Sequence, residues 1–441
     1  MWRALRDLPA FIGHLEGPRL FAPFLLDKTW PVLWVLAAIY RRTFLRRSRV
    51  IVVIGSVGKT TTKRAIDAAL GESVAIHAAG HNYGLSLALN VFRSRPSDTY
   101  AVFEVGIAGT GRMASYAWLL APDIVVVTAI ASDHNRSLPT LEHTRAEKVK
   151  MVRALKPGGL AILNGDDPHV LWMATQTAAQ VITYGFGETT AVRASDEQLE
   201  WPAGMRFTLH TEGKEREIRT RLLGRHLIYP VLAAAAVSLA EGLPLETTAK
   251  RLERLDASRR RLQPIVLASG VTLLSDDFKA SWESILAALD TLAAVKAGRR
   301  IVVLGDIHEP PGAQRLLYQT IGKRLAQIAD FAVLVGSDNH RALIAAAVRS
   351  GMDRSRLVYV SSRWQEAVTY LRERLLPNDV VLIKGSESRR LQRITLGLQG
   401  ITIRCPAKLC RVRIHNCTDC PLRDRGASDL KNFYLAPLVE V

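Results

Sequence analysis

The nine residues Gly55 to Lys63, GSVGKTTTK, follow the apolar run Val50 to Ile54 and lead into a helix-patterned stretch, so strand, glycine loop and helix occur in that order. In that context the loop reads as a cradle for a nucleotide polyphosphate. Gly55 and Gly58 free the backbone around Ser56 and Val57 to turn its N–H groups inward. Lys59 brings a point charge to the outer phosphates. Thr60, followed by Thr61, offers a hydroxyl to Mg²⁺ at the positive end of the helix. A full Walker A loop places its first glycine six residues before the lysine, and Val53 stands there instead. The competing reading, a glycine turn with an ordinary surface lysine, does not explain the strand and helix on either side.

Outward from the loop, apolar runs of strand length alternate with helical stretches at 50–54, 99–105, 123–129, 159–163, 271–274, 301–304, 331–335, 357–360 and 379–383. Such alternation predicts an α/β protein with parallel-rich sheets and sites where the strands end. With 441 residues the chain exceeds what one core serves, so two or three domains are expected. A basic segment, RLDASRRRLQPI at 254–265, separates two such series. The second series has no GxGxxG opening its first helix and therefore carries no nicotinamide fingerprint. The polar stretch 187–220 reads as a surface hairpin region, and neither a repeat nor an extended low-complexity tract occurs.

Strand ends supply further candidate chemistry. Glu104 closes the strand Thr99 to Phe103 and His134 lies just beyond the strand Asp123 to Ala129, a hard carboxylate and an imidazole able to share a Mg²⁺. Each alone is commonplace in such a position. If Leu141 to Leu155 is a helix, Lys148 lies seven residues after Leu141 and four before Val152, on the apolar face. Burial there lowers a lysine pKa and makes the neutral amine available for reaction, whereas a lysine at the helix edge snorkels to water.

The shortened loop is similar to that of the Mur ligases, which join an amino acid or peptide to a carboxylate at the expense of ATP. Matching segments recur in order from about residue 49 to about residue 395: GHNYG at 80–84, FEVGIAGTGRM at 103–113, Ala129 to Asp166, LLGRH at 222–226, SDDFKASWES at 275–284, VVLGDIHE at 302–309 and VLIKGS at 381–386. Within the family the chain most resembles the branch that adds D-alanyl-D-alanine to a UDP-muramoyl tripeptide. The resemblance implies a central ATP-binding domain over 49–258 and a Rossmann-like C-terminal domain over 259–404, flanked by an N-terminal extension, 1–48, and a cysteine-rich tail, 405–441. It also implies a two-step reaction in which a carboxylate takes the γ-phosphate of ATP and the acyl phosphate is captured by an amine.

Roles carried over from the family fall on particular residues. Thr60 and Ser56 would hold a first Mg²⁺ and the phosphates; Glu104, His134 and Lys148, the last as a carbamate formed with CO₂, would hold a second. Asn82 would lie near the reacting groups. Arg261, Asp276 and Lys279 would face the nucleotide, and Asp306 and Glu309 the incoming amine. Two motifs depart from the pattern. The family's GRHNxxN appears as Gly224, Arg225, His226, Leu227, Ile228, Tyr229 and Pro230, without either asparagine, and DDSYNANP appears as SDDFKASW, with Lys279 and Ser281 in place of asparagines. Adenine recognition must then be rebuilt or relaxed, which leaves ATP and GTP both open.

Only 48 residues precede the ATP-binding domain, where the family carries a UDP-sugar-binding domain of roughly a hundred residues. The expectation is that this domain is missing and that the carboxylate substrate differs, for instance by being lipid-linked. Phe21 to Tyr40, FAPFLLDKTWPVLWVLAAIY, followed by RRTFLRRSR, suits either helices packed on the ATPase core or docking at the inner membrane face of a cytoplasmic enzyme. Its clean run, Trp30 to Tyr40, is too short to span a bilayer of about 30 Å, and no signal-peptide pattern opens the chain. The net charge of +18 agrees with anionic head groups or phosphorylated substrates, and no nucleic-acid motif accompanies it.

All four cysteines lie in the tail at Cys405, Cys410, Cys417 and Cys420, with His415 between. Without a secretion pattern a metal site is the better reading than disulfides, either structural Zn²⁺ or an iron–sulfur cluster; buried free thiols are the alternative. A partner contact or redox sensing would suit such a tail. The whole reads as an ATP-dependent carboxylate–amine ligase using ATP and Mg²⁺. A P-loop ATPase driving a conformational change and a noncatalytic scaffold are the alternatives.

Overall fold

The computed structural model describes residues 31–71, 74–75, 82–107, 109–132, 135–336, 339–361, 363–405, 416–420 and 423–424. His134, Cys410 and His415 lie outside them. Contacts divide the chain into two compact units: 1–130 with 142–190 and 233–248, and 131–141 with 191–232 and 249–441.

The first unit is built on β-branched runs that favour strands buried on both faces. β1 (Arg49–Ile54) lies between β2 (Tyr100–Glu104) and β3 (Ile124–Val127), followed by β4 (Leu160–Asn164) and β5 (Gln180–Gly185). All the pairings are parallel. Register decides the site: Val53 pairs with Glu104 and Ile54 with Val127, so the loop after β1 emerges beside Glu104 and Thr128. Helices α1 (Lys59–Leu70), α2 (Leu85–Arg93), α3 (Arg112–Leu120) and α4 (Leu141–Arg153) accompany the strands, as the alternation predicts.

A helix over residues 31–43 packs one side on this unit through Trp34, Ala37, Ala38 and Arg41. Arg41 fixes it by donating to Asp123 at 2.9 Å and to the carbonyls of Leu120 and Ala121, which cap the end of α3. No described helix is long and apolar enough to cross a membrane.

In the second unit β6 (Val192–Glu200), β7 (Gly204–Thr211) and β8 (Lys214–Thr220) form an antiparallel meander. This is the hairpin region expected of the polar stretch. The second strand series forms a six-stranded sheet of β9 (Gln263–Val266), β10 (Thr272–Asp276), β11 (Arg299–Leu304), β12 (Phe331–Val335), β13 (Leu357–Val360) and β14 (Asp379–Lys384). Its order is β13-β12-β11-β14-β10-β9, and only the pairing of β9 with β10 is antiparallel. Val271, Leu273, Ile301, Val303, Val333, Val381 and Ile383 fill the core on one face.

Candidate active site

The phosphate loop is shaped by what its backbone must do. Gly55 has φ +142°, and a Cβ there would fall 1.9 Å from Thr128 Oγ1. Only glycine fits so close to the end of β3. Gly58 has φ +82°, in the left-handed region, and caps α1. Ser56 N–H donates to the carbonyl of Ala129 at 2.7 Å, and Thr128 Oγ1 donates to the carbonyl of Val57 at 2.6 Å. The loop is thereby tied to β3 on two sides. Lys59 Nζ arches over it, donating to the carbonyls of Gly55 and Ser56 at 2.8 and 3.0 Å. Thr61, one residue beyond Thr60, is buried.

Glu104 gathers the neighbouring groups. One carboxylate oxygen accepts from Thr60 Oγ1 at 2.8 Å and the other from Asn82 Nδ2 at 2.7 Å. Lys148 comes to the same loop from α4. It is 2% exposed, as its position on the apolar face predicts, and Nζ donates to the carbonyl of Gly55 at 3.0 Å. Lys59, Thr60, Asn82, Glu104 and Lys148 therefore converge on one sheet edge.

The residues of the second unit group separately. Asp276 and Lys384 are cross-strand partners at the ends of β10 and β14, paired at 2.8 Å, and Lys384 also donates to the carbonyl of Lys279 at 2.7 Å. Burial pushes the Lys384 ammonium below its ordinary pKa, against the pull of Asp276. Arg261 stacks over Phe278 at 4.7 Å, and Arg260 forms a buried pair with Asp277, whose pKa burial raises. Asp306, just beyond β11, pairs with Arg389 at 2.5 Å. The carbonyl of Glu309 accepts from Asn135. His226 is half-buried in the altered GRHLIYP motif, and desolvation lowers its pKa to about 4.

In the tail, Cys405 and Cys417 are buried in a small cluster with Leu396 and Ile403, against which Cys420 packs. The guanidinium of Arg393 donates to Cys405 Sγ at 3.4 Å. Among the described residues no three His, Cys, Asp or Glu side chains are arranged to hold a metal ion.

Reading the sequence alone missed several residues of these clusters. Thr128 is an ordinary strand-end threonine until the register sets it against Gly55. Lys384 stands in the quoted VLIKGS motif, and a lysine ending an otherwise apolar strand was the available signal. Arg389 carries no such signal.

A glycine phosphate loop after a central parallel strand, with a carboxylate at the next strand's end and a second α/β unit following, defines a nucleotide-binding protein of the P-loop class. Residues 53–238 match the Mur ligase middle domain and residues 260–387 the Mur ligase, glutamate ligase domain. The chain belongs to the Mur ligase family of ATP-dependent peptidoglycan-precursor ligases.

The chain is 28% identical over 386 residues to the UDP-N-acetylmuramoyl-tripeptide–D-alanyl-D-alanine ligase of Bacillus subtilis (strain 168), an alignment covering 86% of this chain and 82% of that one. It is 32% identical over 366 residues to the ligase of the same name from Mycobacterium bovis, covering 78% and 71%. Its fold is similar to that of the MurF ligase from Thermotoga maritima solved in complex with ADP, with a TM-score of 0.75 at 19% identity over 84% of this chain and 83% of that one.

Proposed function

We propose that this chain activates a substrate carboxylate as an acyl phosphate with ATP, releasing ADP, and couples it to an amine, within two domains spanning 49–258 and 259–404. The observation that carries the reading is Glu104, which draws together a loop hydroxyl, Thr60, and the amide of Asn82 beside the buried amine of Lys148. A loop that only hydrolysed ATP would have no use for the last two.

In this reading loop N–H groups and Lys59 hold the phosphates, and the fixed Lys59 charge offsets the negative charge that grows on the oxygens as the γ-phosphoryl moves. Thr60 and Glu104 are hard oxygen donors at a helix N-terminus and fit Mg²⁺, which when bound would neutralise phosphate charge. Lys148 does not fit a metal as an ammonium; as a carbamate its oxygens would. His134 is proposed as a further ligand on the family's pattern. Asn82, held by Glu104, would orient the carboxylate. Arg261, Asp276 and Lys279 are proposed to meet the nucleotide, and Asp306 and Glu309 the amine.

The relatives' names suggest a UDP-linked peptidoglycan-type peptide precursor and a dipeptide amine; a lipid-linked precursor is the alternative. The test is release of ADP from ATP or GDP from GTP by the purified protein with Mg²⁺ and bicarbonate, across both precursor forms and a panel of amino acids and dipeptides. Turnover that requires a carboxylate and an amine together supports the ligase. Hydrolysis independent of both would indicate a motor, and absence of nucleotide binding a scaffold.

A further inference from the structure

The helix over 31–43 is apolar on both sides, and only one side is used. Trp34, Ala37, Ala38 and Arg41 face the first unit, whereas Val32, Val35, Leu36 and Ile39 are between 48% and 63% exposed. The spacing i, i+3, i+4, i+7 puts those four on a single outward stripe. Phe44, stacked on Tyr40 at 5.1 Å, and Trp118 extend the exposed apolar surface. Soluble monomers seldom leave such a stripe on a well-packed helix without a use for it.

Charge identifies what the stripe meets. Residues 31–49 hold five arginines and no acid. Two are spent internally, Arg41 on Asp123 and Arg49 on Glu241. Arg42, Arg46 and Arg47 are exposed at the C-terminal end of the stripe, with the Arg42 guanidinium lying 5.0 Å from the Trp118 ring centroid and donating to the Trp118 carbonyl. A cation held beside an exposed indole next to aliphatic side chains is the composition of a surface helix at the lipid interface. Thirteen helical residues extend about 20 Å, short of a bilayer's hydrocarbon core. A second copy of this chain is a poorer occupant, because the same segment of a partner would offer the exposed arginines no acid in return.

We propose that Val32, Val35, Leu36 and Ile39, framed by Arg42, Arg46, Arg47 and Trp118, form a docking surface for an anionic lipid bilayer. The helix would lie in the membrane plane with its apolar stripe among the acyl chains and its arginines on the head-group phosphates.

The test is co-sedimentation of the full chain with phosphatidylcholine vesicles with and without phosphatidylglycerol, at low and high salt. The expected result is binding to anionic vesicles that weakens with salt, falls about fivefold per arginine in Arg46→Ala/Arg47→Ala, and is lost in Val35→Glu/Ile39→Glu. Both variants should retain fluorescent-ADP binding, since none of these residues touches the phosphate loop. In addition, Val35→Cys should react quickly with a polar maleimide, read on its own peptide by mass spectrometry, and slow down when anionic vesicles are added. Three results would overturn the proposal: no sedimentation with anionic vesicles, binding unchanged in both variants, or slow Val35→Cys labelling without lipid. The last would mean that residues 1–30 or a second copy already cover the stripe, and self-association abolished by Val35→Glu/Ile39→Glu would single out the copy.

Discussion

The two units place polar groups at the ends of parallel strands, yet they do so with different materials. In the first, the cluster after β1 sets backbone and short side chains, Gly55, Gly58, Thr60, Thr128 and Asn82, around Glu104, with Lys59 and Lys148 tied to loop carbonyls. In the second, Asp276, Lys384, Arg260 and Asp277 are long or charged side chains neutralising one another below the surface. A backbone cradle leaves its N–H groups for an anionic ligand and costs little when the ligand departs. A buried ion pair spends its charge internally, and it is a poor source of stability but a strong constraint on geometry. On the proposed reading the first cluster carries the phosphoryl chemistry and the second shapes a binding wall, a division that substitution can break.

The largest expected effect is at Lys59. Lys59→Ala removes the loop's own side-chain charge, and ligation measured as ADP release should fall about 10³-fold, with fold and Tm little changed. Second is Lys148. Lys148→Met keeps the volume on α4 but removes the amine, and kcat should fall on the order of 10²-fold. A readout independent of turnover accompanies it: ¹³C-bicarbonate should give a carbamate carbonyl resonance in the wild type and none in Lys148→Met. Full ligation activity in Lys148→Met would show that the buried amine takes no part in the chemistry.

The second cluster should respond in stability before it responds in rate. Lys384 is 1% exposed, and Lys384→Met strands the Asp276 carboxylate without its cation. Removing one member of a buried pair costs about 3–5 kcal/mol, here nearer 3 because Asp276 keeps a little solvent contact. Replacing both, as Asp276→Leu/Lys384→Met, should recover most of that loss in a denaturant titration. If the single and double variants unfold alike, the pair does not constrain the unit and the contrast drawn here fails.

Legibility followed the same division. The strand runs, the loop, the burial of Lys148 and the hairpin region could be read from the sequence because each depends on local periodicity or on one glycine's freedom. The packing of Thr128 against Gly55 could not, since it follows from the register of β1 with β3, a contact between residues 73 apart in the chain. Nor could the pairing of Asp276 with Lys384 or of Asp306 with Arg389, where topology brings together strands distant in sequence. The tail was legible only as composition: Cys405, Cys417 and Cys420 share a cluster, and Cys410 lies outside the described residues.

The smallest effect concerns His226, in the motif that departs most from the family. Desolvation holds the imidazole down to about 4, with Asp276 opposing that shift, Lys384 adding to it and Asp290 opposing it. In the unfolded chain the ring titrates near 6.5. Between those values the unfolded state binds more protons than the folded state, so stability present above pH 6.5 should drain away as pH falls toward 4. One ring exchanges at most one proton, so the slope is at most about 1.4 kcal/mol per pH unit. His226→Gln cannot titrate, and the stability difference between wild type and variant should be flat above pH 6.5 and slope only below it. A difference that is flat throughout would mean that the ring is solvated, and that this stretch of the second unit is open enough to accept a ligand's polar group directly.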